Sequence, residues 1–400
     1  MADADVVIVG GGPAGMMAGL LLARAGVSVL VLEKHGEFLR DFRGDTVHPS
    51  TMELLGELGM LERFLQRPHD RVDQLGGRIA GQEIVLADLR HLPVPAPFIA
   101  MMPQWEFLDF LRVEASAFPS FRLEQNAGVA SFIETDGRIT GVTLGDGRQF
   151  TARLVIAADG RKSLVRVNAM LPVTILGAPM DIFWFRVPKV AVGDNRSAAV
   201  FEAGRLFVLI DRGDYWQCAF VFPKGGEAEV KARGLPALLA VMEDTAPELG
   251  PLAGVLTEWD QFSLLSVALD RLDRWHRPGL LAIGDAAHAM SPIGGVGINL
   301  AVQDAVAAAN ILAGGLAAGH PVDHLLAKVE RRRLFPTRVI QRMQALVQRN
   351  IIGKLLDPSA KLDKPPFVMR LFGRFPYLQR IPAHIMGLGI RREHIRSPIA

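Results

Sequence analysis

Short apolar runs, each ending at a glycine or an acidic residue, recur along the chain and predict buried strands. Residues 5–9, 154–158 and 280–283 are almost entirely apolar, as expected for parallel strands that are covered on both faces. The first run is followed by a helical stretch at 16–25 and a second apolar run at 27–32, so strand, helix and strand alternate. This pattern predicts an α/β fold with a parallel sheet.

The pattern changes in the middle of the chain. Residues 182–187, 206–210 and 216–222 are runs of aromatic and β-branched residues separated by turns, which predicts antiparallel strands. Short runs between residues 72 and 100 are predicted to add an edge to the same sheet. We therefore expect this sheet to be inserted twice, giving a first domain from 1–71, 101–175 and 271–340, a sheet domain from 72–100 and 176–270, and a C-terminal helical tail from 341–400.

Three further segments have an apolar stripe at helical spacing. Helices are predicted over residues 49–59, 104–117 and 299–316. The first has a serine, Ser50, that is expected to cap it, and the third is rich in alanine and follows a glycine-rich turn.

The segment Gly10-Gly11-Gly12-Pro13-Ala14-Gly15 has the spacing of a dinucleotide-binding loop. Gly10 is expected to allow the tight turn, Gly12 to let the backbone approach a pyrophosphate, and Gly15 to let helix and strand pack closely. The phosphates would lie at the helix N-terminus, where free N–H groups and the helix dipole favour negative charge. Glu33 ends the second strand and is predicted to accept hydrogen bonds from ribose hydroxyls. The same predicted site includes Pro13, Ala14 and Lys34.

Two further segments indicate which dinucleotide is bound. One apolar strand runs into Asp159-Gly160, with Ser163 and Arg166 after it, and another runs into Gly284-Asp285, before Pro292 and residues 294–299. These segments resemble the DG and GD motifs of the class A flavoprotein monooxygenases, the para-hydroxybenzoate hydroxylase family, and Arg43 and Gln104 also match the pattern of that family. The resemblance extends over about residues 3–340. It implies non-covalent FAD, held by a Rossmann-type (glutathione-reductase-like) FAD-binding domain with an interleaved antiparallel-sheet substrate domain and C-terminal helices.

The resemblance also implies a role for each motif residue. Asp285 would hold the ribityl hydroxyls and Asp159 would close over the FAD, while Arg43 and Gln104 would lie at the pyrophosphate and ribityl regions and Val129 beside the adenine. A glycine turn would lie next to the flavin ring, where its N–H groups and the following helix would stabilise negative charge on the reduced ring, with Ile298 and Asn299 as donors. The residues assigned to this part of the site are Gly284, Pro292, Gly294, Gly295, Val296, Gly297, Ile298 and Asn299.

Two histidines are candidates for a role near the ring. His48 lies on the connection that carries Arg43, so it could face the flavin and help to deprotonate a phenol, or it could simply cap the next helix. The catalytic candidates are His48, Pro292 and Gly295. His288 is expected to be structural. No His, Cys and carboxylate spacing indicates a metal site, so the redox chemistry is expected from the cofactor.

The resemblance implies that NAD(P)H and O2 are used to hydroxylate an aromatic or other apolar small molecule through a flavin C4a-hydroperoxide. Since the chain has one dinucleotide-binding loop, NADPH or NADH would bind transiently, or a separate reductase would supply the electrons. A prenyl-chain reductase of the same fold is the main alternative. A flavin halogenase lacks support because its Trp-x-Trp-x-Ile-Pro string is absent. A non-catalytic protein similar to the GDP-dissociation inhibitors would not need the Asp159 and Asp285 segments.

The predicted antiparallel sheet carries several aromatic residues that suggest a large apolar pocket. Strand alternation allows only some of them to face it, and ordinary core packing is the default for each. These residues are Phe183, Trp184, Phe185, Tyr215 and Trp216.

Composition narrows the class of protein further. The 400 residues carry a net charge of +2, so nucleic-acid binding is not expected. Cys218 is the single cysteine, which excludes an internal disulfide, suits a reducing cytoplasm and fits a core position. No secretion signal precedes the first strand, and no apolar run reaches the roughly 20 residues that span a bilayer. We therefore expect a cytoplasmic monomer or homodimer without an integral membrane segment.

The tail differs from the rest of the chain in its charge. Residues 341–400 contain 11 Lys and Arg against three Asp and Glu, interleaved with apolar residues. Such a segment could contact a membrane surface or another subunit. The simpler expectation is that its apolar positions close the FAD domain and its arginines face solvent. The apolar positions are Phe367, Leu371, Phe372, Phe375, Ile381, Ile385 and Leu388.

Overall fold

The structure is a computed structural model of the 400-residue chain. It describes residues 2–38, 46–161, 163–164, 166, 171–189, 198–202, 205–353, 356 and 365–400. Arg43, one of the predicted cofactor contacts, lies outside these residues.

A mostly parallel sheet of eight strands organises the first part of the fold. Its parallel strands, in spatial order, are β20 (Leu280–Ala282), β11 (Gln149–Ala157), β1 (Ala4–Val9), β2 (Val29–Leu32) and β8 (Phe121–Glu124). Three strands add antiparallel pairs: β19 (His276–Arg277), β10 (Arg138–Leu144) and β9 (Val129–Thr135). The predicted parallel sheet is thus present.

The two faces of this sheet are covered differently. Val6 and Ile8 lie in one core cluster with the helices α1 (Pro13–Arg24), α4 (Gln104–Ala115) and α7 (Gly297–Ala317). Val7 and Val9 point the other way, into a cluster with β10 and Trp275. Because both faces are covered, these strands are apolar throughout.

Helix α7 is a core helix. The segment Ile293–Ala317 is the one helix among the described residues that is long and apolar enough to cross a membrane. In this fold, however, 83% of its most apolar window is buried, and α7 packs on α1 and on α8 (Asp323–Val347).

The second sheet has seven strands and is antiparallel except where β14 pairs with β5. In spatial order, its strands are β17 (Ser263–Ser266), β13 (Met180–Pro188), β16 (Tyr215–Pro223), β15 (Arg205–Asp211), β14 (Ala198–Glu202), β5 (Gln74–Ile79) and β6 (Gln82–Asp88). Two separate parts of the chain thus form one sheet. The predicted fold class, an α/β domain with an interleaved antiparallel sheet and C-terminal helices, is confirmed.

Alternation gives this second sheet two distinct faces. One face packs on α6 (Leu235–Thr245) through buried residues that include Phe183, Phe185, Trp216 and Cys218. The opposite face carries Trp184 and Val208, and Ile293 from the segment before α7 packs against the same cluster. The second face therefore faces the first domain.

Smaller elements surround the two sheets. One three-stranded sheet contains β3 (Thr46–Val47), β7 (Ile99–Met101) and β4 (Asp70–Val72), and another contains β12 (Val173–Ile175), β18 (Asp270–Leu272) and β21 (His288–Ala289). The remaining helices are α2 (Pro49–Glu57), α3 (Leu61–Leu65), α5 (Glu227–Ala232), α9 (Phe367–Arg374) and α10 (Arg380–Gly387). Short 3-10 turns include Gly284–Ala286, Ile293–Gly295 and Pro376–Gln379.

The predicted cap of α2 is wrong. The N-cap is His48, and Ser50 is the second helical residue, where it is buried. Pro49 takes the first helical position because its fixed φ suits a helix start and its missing N–H is not needed there.

Candidate active site

Four predicted site residues come together at one edge of the parallel sheet. Gly10 follows β1, Glu33 follows β2, Asp159 lies just beyond β11 and Asp285 just beyond β20. These strands are neighbours in the order β20, β11, β1, β2. The carboxyl ends of parallel strands form the edge at which open α/β sheets bind ligands.

Gly10, Gly12 and Gly15 of the first loop have different steric surroundings. Gly10 has φ +104°, and a Cβ there would lie 2.5 Å from the carbonyl oxygen of Ala158. A Cβ at Gly15 would overlap the carbonyl oxygen of Gly10 and press on Ile8. A Cβ at Gly12 would meet no atom within 4 Å, so open space lies before the N-terminus of α1. That space is suited to an anionic group, because the first N–H groups of α1 point toward it.

Glu33 ties the glycine loop to the end of β2. Its Oε2 accepts a 2.8 Å hydrogen bond from the N–H of Gly11, and its Oε1 accepts one of 3.1 Å from the N–H of His35. The side chain is 1% exposed. The carboxylate that is predicted to bind the ribose is therefore already held in place by two backbone N–H donors.

The DG and GD segments are joined by two arginines. Arg166 donates hydrogen bonds to the carbonyl oxygens of Asp285 (2.9 Å) and Ala286 (3.3 Å), and it pairs with Asp270 at 2.8 Å. Nε of Arg161 donates to Oδ2 of Asp285 at 3.2 Å. Arg166 thus holds its loop to the rest of the fold, and Arg161 adds an ion pair to Asp285.

Asp159 is positioned by its own loop. Its Oδ2 accepts a 2.7 Å hydrogen bond from the N–H of Leu164. Burial raises the pKa of Asp159 above its usual value, although hydrogen bonds from Ser163 and Leu164 oppose the effect. Its other oxygen, Oδ1, is buried and has no hydrogen-bond partner among the described residues. A ligand hydroxyl or amide could satisfy that oxygen.

The segment from Pro292 to Gly297 forms a tight turn before α7. Gly294 and Gly295 have φ values of +78° and +63°, which disfavour residues with a Cβ. A Cβ at Gly295 would lie 2.5 Å from Oγ1 of Thr46 and 3.2 Å from Nε2 of His48. The hydroxyl of Thr46 donates to the carbonyl oxygen of Gly295 at 3.0 Å. The turn is therefore buttressed from behind, and α7 directs its positive end to it.

His48 lies behind this turn and is completely buried. Its Nδ1 donates to the carbonyl oxygen of Met386 at 2.8 Å, so the neutral ring carries its lone pair on Nε2, which has no partner among the described residues. Burial lowers the pKa of His48 to about 4, although the hydrogen bond to Met386 opposes this. The ring is therefore neutral at pH 7. It makes no capping hydrogen bond to α2.

The side-chain oxygen of Asn299 binds within the protein. Its Oδ1 accepts hydrogen bonds from the N–H of His48 (3.2 Å) and the hydroxyl of Thr51 (2.7 Å). The side chain thus holds α2 against α7. Donation toward a ligand at the turn is left to the backbone N–H groups of Ile298 and Asn299, which lie in the first turn of α7 and need no intrahelical acceptor.

His288 belongs to a buried charged network, in line with a structural role. Its Nε2 lies 2.6 Å from Oδ2 of Asp304, which also accepts the N–H of Gly284 at 3.1 Å. Oδ1 of Asp304 accepts from Nε of Arg333 at 2.9 Å, and Arg333 also pairs with Glu393 at 3.4 Å. Burial alone would raise the pKa of Asp304, but His288 and Arg333 hold it below its usual value.

The remaining cofactor candidates lie at the borders of this edge. Gln104 is half-buried at the start of α4, next to β7, which pairs with the strand leading to His48. Val129 opens β9, and the N–H of Ala127 donates to the carbonyl oxygen of Glu33 at 2.8 Å. Lys34 is exposed beside this contact.

The sheet opposite the glycine turn shows which aromatic residues can face a substrate. Phe183, Phe185 and Trp216 pack on the α6 side, away from the turn. Trp184 is on the opposite face, which is turned toward the first domain and is called the near face below. Its Nε1 is buried without an acceptor in the described part of the chain. A substrate between turn and sheet would therefore meet the apolar cluster around Trp184, with the indole N–H of Trp184 available as a donor.

Two contributors to the site were missed in the sequence. Met386 accepts from His48, and its Cε lies 3.1 Å from the position of a Cβ at Gly294. It belongs to α10, where no motif marks it. Arg161 directly follows Asp159-Gly160. Its position next to this motif was the one feature of the sequence that could have indicated an ion pair with Asp285.

These features fit FAD. The open space at Gly12 suits the pyrophosphate, Glu33 lies where a ribose is expected, and Asp285 and the unpaired oxygen of Asp159 lie between this loop and the glycine turn. The turn offers backbone N–H groups and a helix N-terminus to the ring.

Comparison with known proteins supports this assignment. Residues 3–343 match the family described as FAD binding domain. The chain is 33% identical over 359 residues to 6-methylpretetramide 4-monooxygenase of Streptomyces rimosus, which covers 88% of this chain and 85% of that protein. It is 30% identical over 307 residues to rifampicin monooxygenase of Streptomyces venezuelae, which covers 75% of this chain and 62% of that protein.

The fold is also shared with a solved structure. PqsL of Pseudomonas aeruginosa in complex with 2-aminobenzoylacetate matches 89% of this chain and 98% of its own, with a TM-score of 0.75 and 22% identity. Together with the match over residues 3–343, these relatives confirm the resemblance found in the motifs. The chain belongs to the FAD-binding family of flavoprotein hydroxylases and is an FAD-dependent monooxygenase.

Proposed function

We propose that this monooxygenase uses NADPH or NADH as a transient reductant and O2 as co-substrate to hydroxylate a phenolic aromatic compound. Bound FAD would supply the redox chemistry, by accepting hydride and activating O2. The observation that carries the proposal is the placement of the glycine turn opposite the near face of the seven-stranded sheet, with Ile293 and Trp184 packed against one cluster. The names of the relatives point to aromatic substrates as well, since they include pentachlorophenol 4-monooxygenase.

The protein's own contribution would be positioning and charge stabilisation. The N–H groups of the turn and the N-terminus of α7 favour negative charge at the ring edge, as preorganised donors do in other active sites. The near face of the sheet excludes water, which strengthens these interactions. Asp285, Asp159 and Glu33 would fix the cofactor so that its ring reaches the turn.

His48 is better suited to positioning than to proton abstraction. Proton transfer from a phenol with a pKa of about 10 to a base with a pKa of about 4 is unfavourable by about 8 kcal/mol. Its Nε2 also points at Gly295 rather than at the sheet. We therefore propose that His48 sets the shape of the glycine turn.

Trp184 is proposed to donate a hydrogen bond to an oxygen of the substrate. Replacing Trp184 with Phe removes the donor and keeps an aromatic wall. The KM of an oxygen-bearing aromatic substrate should rise about three- to tenfold, because a neutral hydrogen bond contributes about 1 kcal/mol. Trp259→Phe, on the α6 side, is the matched control and should leave KM unchanged. An unchanged KM in Trp184→Phe would contradict this role.

The reaction can be tested directly. Purified protein would be loaded with FAD, and NADPH or NADH oxidation and O2 uptake would be followed with a panel of phenols and quinolones. Substrate-dependent O2 uptake and a product 16 mass units heavier are expected. Reductant consumption without O2 uptake would contradict hydroxylation and favour a reductase.

Several finer assignments belong to this proposal. The domain limits given under Sequence analysis are the proposed FAD-binding and substrate-binding domains and tail. The protein is proposed to act in the cytoplasm as a monomer or homodimer. Arg43 is proposed as a pyrophosphate contact on the strength of the motif alone.

A further inference from the structure

The C-terminal helices present an apolar surface that no other described part of the chain covers. Helices α9 and α10 and the turn Pro376–Gln379 all pack on β6, the edge strand of the seven-stranded sheet. Met369 and Ala383 face inward and are buried. On the outer side lie five large apolar residues that are 50–72% exposed: Phe367, Val368, Phe375, Tyr377 and Ile381. We call these five residues the outer patch.

Positive charge is interleaved with the outer patch. Arg370, Arg374 and Arg380 are exposed within the same segment, and residues 367–388 contain no Asp or Glu. Arg370 lies over the ring of Phe367 at 5.9 Å, and Arg380 over that of Tyr377 at 5.0 Å. The aromatic rings and the guanidinium groups therefore point to the same side.

Beyond the proposed reaction, we propose that the outer patch docks on the surface of an anionic lipid bilayer. Apolar and aromatic side chains on one side of a short helix, flanked by arginines, are suited to the boundary between headgroups and acyl chains. The arginines add attraction to acidic headgroups. This mode of binding leaves the protein on the surface, with no spanning segment.

A second copy of the chain fits this surface less well. A twofold contact brings the same patch of two copies together. Three arginines of one copy would then oppose three of the other, with no acid in the segment to pair with them. The charge pattern thus favours an anionic partner.

The outer patch is connected to the active site through α10. This helix carries Ile381 outward, while its Met386 packs on the glycine turn and accepts the hydrogen bond from His48. A bilayer that binds the outer side of α10 would therefore lie against the same helix that closes the back of the flavin site.

The test is co-flotation of the FAD-loaded protein with vesicles at low salt. Vesicles of phosphatidylcholine with 30% phosphatidylglycerol should bind the protein about 100-fold more tightly than vesicles of phosphatidylcholine alone. This figure follows because each of the three arginines should increase the affinity about fivefold. Binding should weaken at 0.5 M NaCl, because charge attraction is screened. No binding to phosphatidylglycerol vesicles would overturn the proposal.

Two pairs of variants locate the surface. Phe367→Ser with Ile381→Ser should lose binding at least tenfold, whereas the control Ile175→Ser with Leu176→Ser, on an exposed site elsewhere, should not. Arg374→Glu with Arg380→Glu should also lose binding, whereas Lys231→Glu with Arg233→Glu changes net charge equally and should not. The flavin spectrum of each variant reports its folding.

Two outcomes would overturn the assignment. One is equal binding by patch and control variants. The other is a dimer, seen by light scattering without lipid, that Phe367→Ser with Ile381→Ser dissociates, because the patch would then be an interface between copies. Neither result depends on which substrate is hydroxylated.

Discussion

At the scale of single residues, several buried polar atoms near the flavin site have no hydrogen-bond partner in the described part of the chain. They are Asp159 Oδ1, His48 Nε2, Asn299 Nδ2 and Trp184 Nε1. Each such atom costs about 1–3 kcal/mol. Most buried polar atoms in native proteins are paired, and two of these atoms, Asp159 Oδ1 and Trp184 Nε1, are the ones for which we propose a ligand partner.

Asp285 is expected to control retention of FAD. Replacing it with Ala removes the carboxylate that ribityl hydroxyls would bind and leaves Arg161 without this partner. A hydrogen bond to a charged group contributes about 1.5–3 kcal/mol, so the Kd for FAD should rise roughly 10- to 100-fold. Equilibrium dialysis measures this, with the exposed Asp260→Ala as control. Retention of full yellow colour by Asp285→Ala would contradict the placement.

Because of His48, the free energy of unfolding should fall as the pH becomes mildly acidic. Its folded pKa of about 4 lies below the unfolded value of 6.5, so the unfolded state binds the proton first as the pH falls. Stability is then full above pH 6.5 and is lost progressively between 6.5 and 4. Between pH 7 and pH 5, the titration of His48 should lower the free energy of unfolding by about 2 kcal/mol.

The variant His48→Asn tests this pH effect. Asparagine retains a donor for the carbonyl oxygen of Met386 but does not titrate. Urea unfolding at pH 7 and pH 5 should show a smaller difference for His48→Asn than for the natural protein, while the exposed His324→Asn should behave like the natural protein. An identical pH dependence in all three would show that His48 is not the group responsible.

At the scale of elements, the glycine turn is defined by contacts from two directions. Thr46 and His48 fill the space in which a side chain of residue 295 would lie, and Met386 fills that of residue 294. The space behind both glycines is therefore occupied, which supports the turn from that side. Such a turn can present its N–H groups in a fixed direction before any ligand arrives, which is what electrostatic stabilisation requires.

Gly295→Ala should distort this turn. The new Cβ would lie 2.5 Å from Oγ1 of Thr46 at a φ of +63°, and strain of this kind costs about 1–3 kcal/mol. The melting temperature of the FAD-free protein and the affinity for FAD should both fall. Gly297→Ala is the matched control, since its Cβ would meet Met290 only at 3.9 Å. If both variants melt at the same temperature, the contacts behind the turn do not constrain it.

At the scale of the whole molecule, the sequence predicted the local motifs but not the contacts between distant residues. The loop from Gly10 to Gly15 could be predicted because the steric demands on Gly10 and Gly15 come from the neighbouring strand and from the loop itself. Alternation predicted that Phe183 and Trp184 face opposite ways, although it could not say which of them faces the flavin. The contact of His48 with Met386 joins residues 338 positions apart and has no local signal. The cap of α2 was misplaced because the effect of Pro49 outweighs that of Ser50.

The buried network around Asp304 joins distant parts of the molecule. Through Gly284, His288, Arg333 and Glu393 it connects the GD segment to α8 and to the C-terminal segment. Removing one partner of a buried ion pair leaves an uncompensated charge, which costs about 3–5 kcal/mol. Asp304→Asn should therefore lower the free energy of unfolding by about that amount, as measured in urea.

A double variant separates the charge from the packing. If the loss of the Asp304 carboxylate as a partner of Arg333 causes the destabilisation, then Asp304→Asn with Arg333→Met should be more stable than Asp304→Asn alone. A double variant that is less stable than the single one would show that the hydrogen bonds to Gly284 and His288 dominate instead.

The contact between α10 and the glycine turn has a consequence for how the holoenzyme matures. Met386 follows the phosphate-binding loop by about 370 residues. At about 5–20 residues per second, a ribosome exposes that loop roughly 20–75 s before it has synthesised Met386. A nascent chain can thus sample the dinucleotide early, but the back wall of the ring's pocket is translated late. Firm capture of the cofactor is therefore expected only after α10 has left the ribosome and packed on the turn.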